Sequence, residues 1–405
     1  MHTTQRQLFF AHLAQTSDSP LALDISRAEG LYMYDQEGKS YMDLISGIGV
    51  SNVGHRHPKV LKAIYDQLDK HMHLLVYGEF IQSSQVLLAQ ALANTLTLPE
   101  ERSAPYGAID HIYLTNSGTE AVEGAMKLAK RYTGRNEFIA CYNAYHGATQ
   151  GALSLAGAEF FKNSYRPLLP GISHIEHGAL ADLSRITEKT AAIIIEIVGG
   201  EAGVRIPPSG YFEALRQRCT ETGTLLILDE IQTGYGRTGS FWAFEQYNIY
   251  PDILLSAKGM GGGMPIGAFM ASQTIMQVFK DNPVLGHITT FGGHPVSAAA
   301  ALAALNVTLE ERLAEKAIEK GALFKELLRH PRIKEVRGKG LMLAVEMESF
   351  SILKRTIDLC IDQGIVTDWF LFCDNAMRIA PPLIIEEKEI RLACDIILKA
   401  MDQLD

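Results

Sequence analysis

Residues 225–239 read Leu225-Leu-Ile-Leu-Asp-Glu-Ile-Gln-Thr-Gly-Tyr-Gly-Arg-Thr-Gly239. An apolar run closed by an acid and followed by a glycine-rich turn predicts a strand buried on both faces. Asp229 then stands at the carboxyl end of that strand, where ligands gather in open α/β sheets. A carboxylate held there out of water is costly unless a cation meets it. The protonated nitrogen of a pyridine ring is one such cation.

Short apolar runs and helical patterns alternate around this stretch. His111–Thr115, Glu137–Cys141, Ala191–Ile197 and Asp252–Ser256 read as strands, and Thr119–Tyr132 and Tyr211–Thr222 as helices. Such alternation implies a largely parallel sheet covered by helices. The ends of the chain differ. Leu31–Tyr34 and Lys39–Met42 predict a hairpin around an acidic, glycine-ended turn. Arg332–Val336 and Gly340–Met347 read as strands of an α+β unit. We therefore expect a large lobe over residues 50–300 and a smaller one built from 1–49 and 301–405, within the reach of a 405-residue chain.

Composition narrows the function. Hydrophobic residues make up 47% and charged residues 20%, enough for a large core without metals or disulfides. Lys and Arg number 37 against 46 Asp and Glu, a formal net charge of −9. That balance argues against nucleic acid and anionic membrane as partners. The longest purely apolar stretch, Ala298–Leu305, is too short for a membrane helix. The cysteine count of 5 is odd and no Cys-x-x-Cys occurs, which fits the reduced thiols of a cytoplasmic protein. His55-x-His57 and His71-x-His73 lack the carboxylate or cysteine pattern of a metal site, so no metal is expected.

Two more stretches carry chemistry. Thr115-Asn-Ser-Gly-Thr-Glu-Ala121 lies where a strand gives way to a helix, and Ser117 with Glu120 fits a capping box. Backbone N–H groups and the helix dipole at such a terminus favour a phosphate, with Gly118 allowing close approach and Ser117 and Thr119 adding hydroxyl donors. No Gly-x-x-x-x-Gly-Lys or Gly-x-Gly-x-x-Gly is present, so nucleotide loops are not indicated. Lys258 follows the apolar run Ile253–Leu255 and precedes Gly259, Gly261, Gly262 and Gly263. A lysine enclosed in apolar surroundings loses its proton more readily and becomes a nucleophile toward carbonyls. Singly, these features are also those of a capped helix, a strand-end acid and a snorkelling lysine. Together they supply a phosphate cup, an acid for a ring nitrogen and an amine for an aldehyde. Those are the three handles of pyridoxal 5′-phosphate (PLP).

With Tyr41-Met-Asp-Leu44, Gly54-His-Arg-His-Pro58 and Arg378-Ile-Ala-Pro-Pro-Leu383 added, the chain resembles the class III aminotransferases of PLP fold type I over nearly its whole length. The resemblance implies an α/β fold. Its large domain would hold a mainly parallel seven-stranded sheet covered by helices, with a smaller α+β domain from the N- and C-terminal segments. It implies that Lys258 forms the Schiff base and moves the proton, and that Asp229 holds the pyridinium. Ser117, Gly118 and Thr119 would take the phosphate. Tyr145, beside His146 in the triplet Tyr145-His-Gly147, would stack on the ring, and Gln232 would bond its phenolic oxygen. Thr290 would reach the phosphate of a partner subunit, which implies a homodimer with shared active sites. Arg378 would bind the substrate carboxylate and Glu201 would mask it. Glu196 lies on a matching motif without a firm role.

The implied reaction moves an amino group from an ω-amino acid, an acylornithine-like compound or a primary amine to a 2-oxo acid, 2-oxoglutarate or pyruvate, in a ping-pong sequence. An aminomutase of the glutamate-1-semialdehyde type or a decarboxylase would share the fold. Three positions depart from the family pattern. Ala148 stands where several 2-oxoglutarate users carry arginine, Ile48 stands near a tyrosine of ornithine δ-aminotransferases, and His294 replaces an asparagine. The sequence does not place the side chains of Ile48, Tyr77, Phe80 and Ala148 relative to the pocket.

Overall fold

The computed structural model describes residues 4–76, 78–97 and 104–404. At its centre lies the strand Leu225–Asp229, buried along its whole length. Thr190–Glu196 runs parallel on one side and Ile253–Ser256 parallel on the other. The complete sheet has seven strands in the order His111–Thr115, Gly267–Ala271, Ile253–Ser256, Leu225–Asp229, Thr190–Glu196, Glu137–Cys141, Ile172–Ile175. Only Gly267–Ala271 opposes the rest, antiparallel to both neighbours.

Alternation of side chains divides the packing between the two faces. Ile193, Ile195, Leu226 and Leu228 join Trp242 and Phe212 in one core. Ala192, Ile194, Leu225 and Ile227 join Ala121, Ala125, Leu128 and Ala129 of the helix Gly118–Thr133 in another. That helix lies close to the sheet: a Cβ on Gly124 would sit 2.3 Å from the Phe269 ring.

The chain ends meet in two further sheets. Ile25–Glu29, Tyr32–Asp35 and Ser40–Asp43 pair antiparallel, and Ile365–Val366 joins them parallel to Ser40–Asp43. The hairpin turn is fixed by Asp35, whose Oδ1 accepts the N–H groups of Glu37 and Lys39 at 3.1 and 2.8 Å. Ile333–Lys339, Met342–Met347, Cys373–Ile379 and Trp369–Phe370 form the second sheet, antiparallel throughout. Met42 and Leu44 share one core with Leu343, Ile379, Ile390 and Ile397.

Arg237 ties these parts together. It is 0% exposed. Its Nη1 donates to the carbonyls of Leu341 and Pro381 at 2.9 and 2.5 Å, and its Nη2 to Asn52 Oδ1 and Ser46 Oγ at 2.6 and 3.2 Å. Burial pushes its pKa down, against the pull of Asp43. Among the described residues no carboxylate lies within ion-pair distance, so neutral acceptors solvate the charge. Removing the guanidinium strands four buried acceptors at once. Arg237→Met is therefore expected to destabilise the protein by about 3–5 kcal/mol, seen as a lowered urea midpoint. A midpoint equal to wild type would refute the role.

Candidate active site

The parallel strands end at a cavity of about 540 Å³. Sheet register sets Glu196 directly beside Asp229, so two carboxyl groups share this edge. Ser117, Gly118, Thr119, Tyr145, His146, Glu201, Gln232 and Lys258 line the same cavity. Arg378 lies behind Glu201. Thr290 lies elsewhere, exposed, with its carbonyl 2.9 Å from His73 Nε2.

Lys258 opens the turn Lys258–Gly261 with φ at +48°, a left-handed conformation uncommon outside glycine. Burial lowers its pKa, opposed by the charges of Glu201 and Asp229. The neutral amine is thereby favoured relative to a surface lysine. The turn is seated on the Arg237 cluster, because a Cβ on Gly259 would lie 2.6 Å from Asn52 Nδ2.

Asp229 Oδ2 lies 2.7 Å from His146 Nδ1, and its Oδ1 accepts the Ile231 N–H at 3.0 Å. Burial opposes a charge on His146, yet the hydrogen bond and charge of Asp229 prevail and its pKa is raised. His146 Nε2 is buried without a partner.

Gly200 brings Glu196 and Gln232 together. A Cβ there would lie 2.1 Å from Gln232 Oε1 and 3.3 Å from Glu196 Oε1. Glu196 Oε1 accepts the Gly200 N–H at 3.1 Å. Burial pushes the Glu196 pKa up to about 7, with Asp229 adding to the rise and His146 opposing it.

The helix terminus departs from expectation in one respect. Ser117 Oγ accepts the Glu120 N–H at 3.3 Å. The reciprocal half of a capping box is missing. The Glu120 carboxylate turns to Asn116, which offers both its backbone N–H, at 2.6 Å, and its side-chain amide. Gly118 is required by packing as well as by any ligand, since a Cβ would approach Ile231 Cδ1 to 2.9 Å.

Arg378 and Glu201 form a buried bidentate pair, Nη1 to Oε1 at 3.0 Å and Nη2 to Oε2 at 3.1 Å. Arg378 Nε also donates to Asp368 Oδ1 at 2.8 Å, and the guanidinium stacks 4.4 Å above Phe370. Burial alone would raise the Glu201 pKa, but Arg378 holds it low. Asp368 was not foreseen. No motif marks it, and it reaches Arg378 only because Trp369–Phe370 folds back on Cys373–Ile379.

The remaining positions divide. Ala148 lines the cavity, as do Val50, Ile231, Met264 and Ile266, which the sequence did not single out. Ile48 does not line it and adopts φ +64°. Tyr77 lies outside the described residues. Phe80 borders a separate groove with Lys280 and Gly292. His294 caps the helix Pro295–Glu310, accepting the Val296 N–H on Nδ1 at 3.3 Å. His55 and His57 face Asp43 and Glu311 at 2.9 and 3.4 Å.

A helix N-terminus, an acid, a desolvated lysine and an aromatic ring facing one cavity match the functional groups of PLP. That arrangement on a mainly parallel sheet defines the PLP enzymes of fold type I. The family model "Aminotransferase class-III" matches residues 13–401. The chain belongs to the class III aminotransferases and is a PLP-dependent transaminase. It is 40% identical over 370 residues to the acetylornithine aminotransferase of Methanopyrus kandleri, covering 90% of each chain. The ornithine aminotransferase of Toxoplasma gondii superposes with a TM-score of 0.89 at 31% identity, over 98% of this chain and 95% of that one. An amine transaminase from an uncultivated Pseudomonas species, solved with PLP, gives 0.87 at 28% identity, over 97% and 98%.

The Glu196 carboxyl makes stability depend on pH. Its pKa in the folded protein exceeds the ordinary 4.5, so the folded state binds more protons between pH 4.5 and about 7. The stability this allows is complete below 4.5 and lost as pH rises through 7. Glu230, raised to about 7 chiefly by burial, acts with the same sign. Cofactor-free protein should lose stability from pH 5 to 8, and Glu196→Gln should remove roughly 1–3 kcal/mol of that loss. Identical pH profiles of urea denaturation for the two proteins would contradict this.

Proposed function

We propose that the protein moves an amino group from an ω-amino acid, an acylornithine-like compound or a primary amine to a 2-oxo acid, either 2-oxoglutarate or pyruvate, in two ping-pong halves. The observation that carries this reading is the Glu201–Arg378 pair at the cavity wall. Glu201 covers the guanidinium while an uncharged or cationic group occupies the pocket. Its displacement exposes a bidentate site for a carboxylate. One pocket thereby serves two chemically different substrates.

PLP, when bound, supplies an aldehyde for amine exchange and a ring that withdraws electrons from the reacting carbon. The Lys258 amine would hold the aldehyde and would serve as the group that moves the substrate Cα proton. Asp229, held by His146, would meet the ring nitrogen and favour its protonated form. Tyr145 would cover the ring face, Gln232 would donate to the phenolic oxygen, and Ser117, Gly118 and Thr119 would receive the phosphate. We place Thr290 against the phosphate of a second copy, in a homodimer. Exposed Phe80, Ile81, Ile288 and Phe291 support that interface, with Ile81 97% exposed. Five free cysteines support a cytoplasmic location.

A single-turnover absorbance scan tests the reading. Holoenzyme mixed with glutamate, alanine, acetylornithine, ornithine, 4-aminobutyrate, β-alanine or an arylamine should convert from the aldehyde to the amine form of the cofactor with at least one of these donors. Spectra unmoved by every donor, or carbon dioxide release in place of net amino transfer, would overturn it. Lys258→Ala should lose turnover by at least a thousandfold while still binding PLP. Asp229→Asn should keep its cofactor and lose most of its rate; near wild-type turnover in either variant would remove that residue from its role.

A further inference from the structure

Behind the Ser117–Thr119 cup runs a chain of hydrogen bonds whose direction is set by its far end. Glu123 Oε1 accepts two backbone donors, the N–H groups of Gly151 and Ala152, at 2.8 and 3.1 Å. It also lies 2.6 Å from Thr149 Oγ1. A carboxylate only accepts, so the single hydroxyl proton of Thr149 is spent on Glu123. Thr149 Oγ1 is also 2.6 Å from Thr119 Oγ1. With its own proton committed, Thr149 can only accept there, and the Thr119 hydroxyl must donate. Thr119 Oγ1 in turn accepts the Thr149 N–H at 3.3 Å. The seat is tight at both ends. A Cβ on Gly151 would lie 2.2 Å from Glu123 Oε2, and one on Gly147 would lie 2.3 Å from Thr119 Oγ1.

We propose that Glu123 and Thr149 are positioning residues of the phosphate cup, holding the Thr119 hydroxyl proton away from the phosphate and leaving that group to backbone N–H donors and Ser117. This rests on the phosphate lying at residues 117–119, as proposed above. Ser117 differs from Thr119 in that its Oγ accepts from Glu120, which leaves its own proton for a ligand. The expected hydroxyl donor at Thr119 is therefore replaced by a fixed acceptor. A phosphate, which accepts only, gains nothing from it.

Equilibrium titration of the apoenzyme with PLP and with unphosphorylated pyridoxal isolates the contribution of the phosphate as an affinity ratio. In the wild-type background Thr119→Val should change that ratio less than twofold, because no donor to the phosphate is lost. In the Glu123→Ala background Thr149 regains its proton and can donate to Thr119, whose hydroxyl then turns to the phosphate. There Thr119→Val should lower the ratio about tenfold. Thr149→Ala, at an exposed site, removes the acceptor by a second route and should reveal the same tenfold penalty. Glu123→Gln keeps an accepting oxygen and should behave as wild type. Equal Thr119→Val penalties in all four backgrounds would overturn the proposal. Ser117→Ala tests the cup itself: it should lower the ratio about tenfold, and an unchanged ratio would sink the placement of the phosphate rather than the ordering of the threonines.

Discussion

The buried guanidinium of Arg237 joins distant segments of the chain that border the candidate site. A charge taken out of water is tolerated only when its donors are met. Here the two terminal nitrogens are met by Ser46 and Asn52 from the N-terminal segment and by Leu341 and Pro381 from the C-terminal one, while Nε has no partner among the described residues. Asn52 also donates to the carbonyl of Tyr235, closing the cluster onto the turn that carries Arg237 itself. The turn bearing Lys258 packs on Asn52, and the loop after Pro381 leaves the strand that bears Arg378. One side chain is thus bonded to segments adjoining both the turn of Lys258 and the strand of Arg378.

Within the cavity three carboxyl groups crowd around one lysine, and each is managed differently. Asp229 is matched by His146. Glu201 is matched by Arg378, with Asp368 binding the far side of the same guanidinium. Glu196 has no ion-pair partner among the described residues, and burial raises its pKa to about 7 instead. Neighbouring acids in one low-dielectric space thus meet a histidine, an arginine and, for Glu196, a raised pKa.

Much of the fold was legible in the sequence because its strands are apolar runs punctuated by glycine or acids. Leu225–Asp229 and Thr190–Glu196 are read this way within a residue of their observed bounds. Ile172–Ile175 was not, since Ser173 and His174 interrupt a four-residue edge strand. Gly267–Ala271 begins on a glycine directly after the glycine-rich run, which masks its start. The polar residues gathered at the cavity were legible through motif and resemblance, whereas the apolar lining of Val50, Ile231, Met264 and Ile266, and Asp368, Glu123 and Thr149, were not. Their contributions depend on which atom meets which across a fold, and no local pattern encodes that. Arg237 stood in the opening motif, but an arginine is expected in water. Its burial follows only from four acceptors converging from distant segments.

The parallel pairing of Ile365–Val366 with Ser40–Asp43 joins residues that are made far apart in time. Met42 leaves the ribosome early and its partner Ile365 some 320 residues later. At typical synthesis rates the edge of the Ser40–Asp43 strand waits roughly 15–60 s for its neighbour. Ser40 at the start of this strand and the charged turn before it, with Asp35, Glu37 and Lys39, keep that edge short and polar while it is open. The order of the chain thus makes this pairing wait until every strand of the seven-stranded sheet has been synthesised.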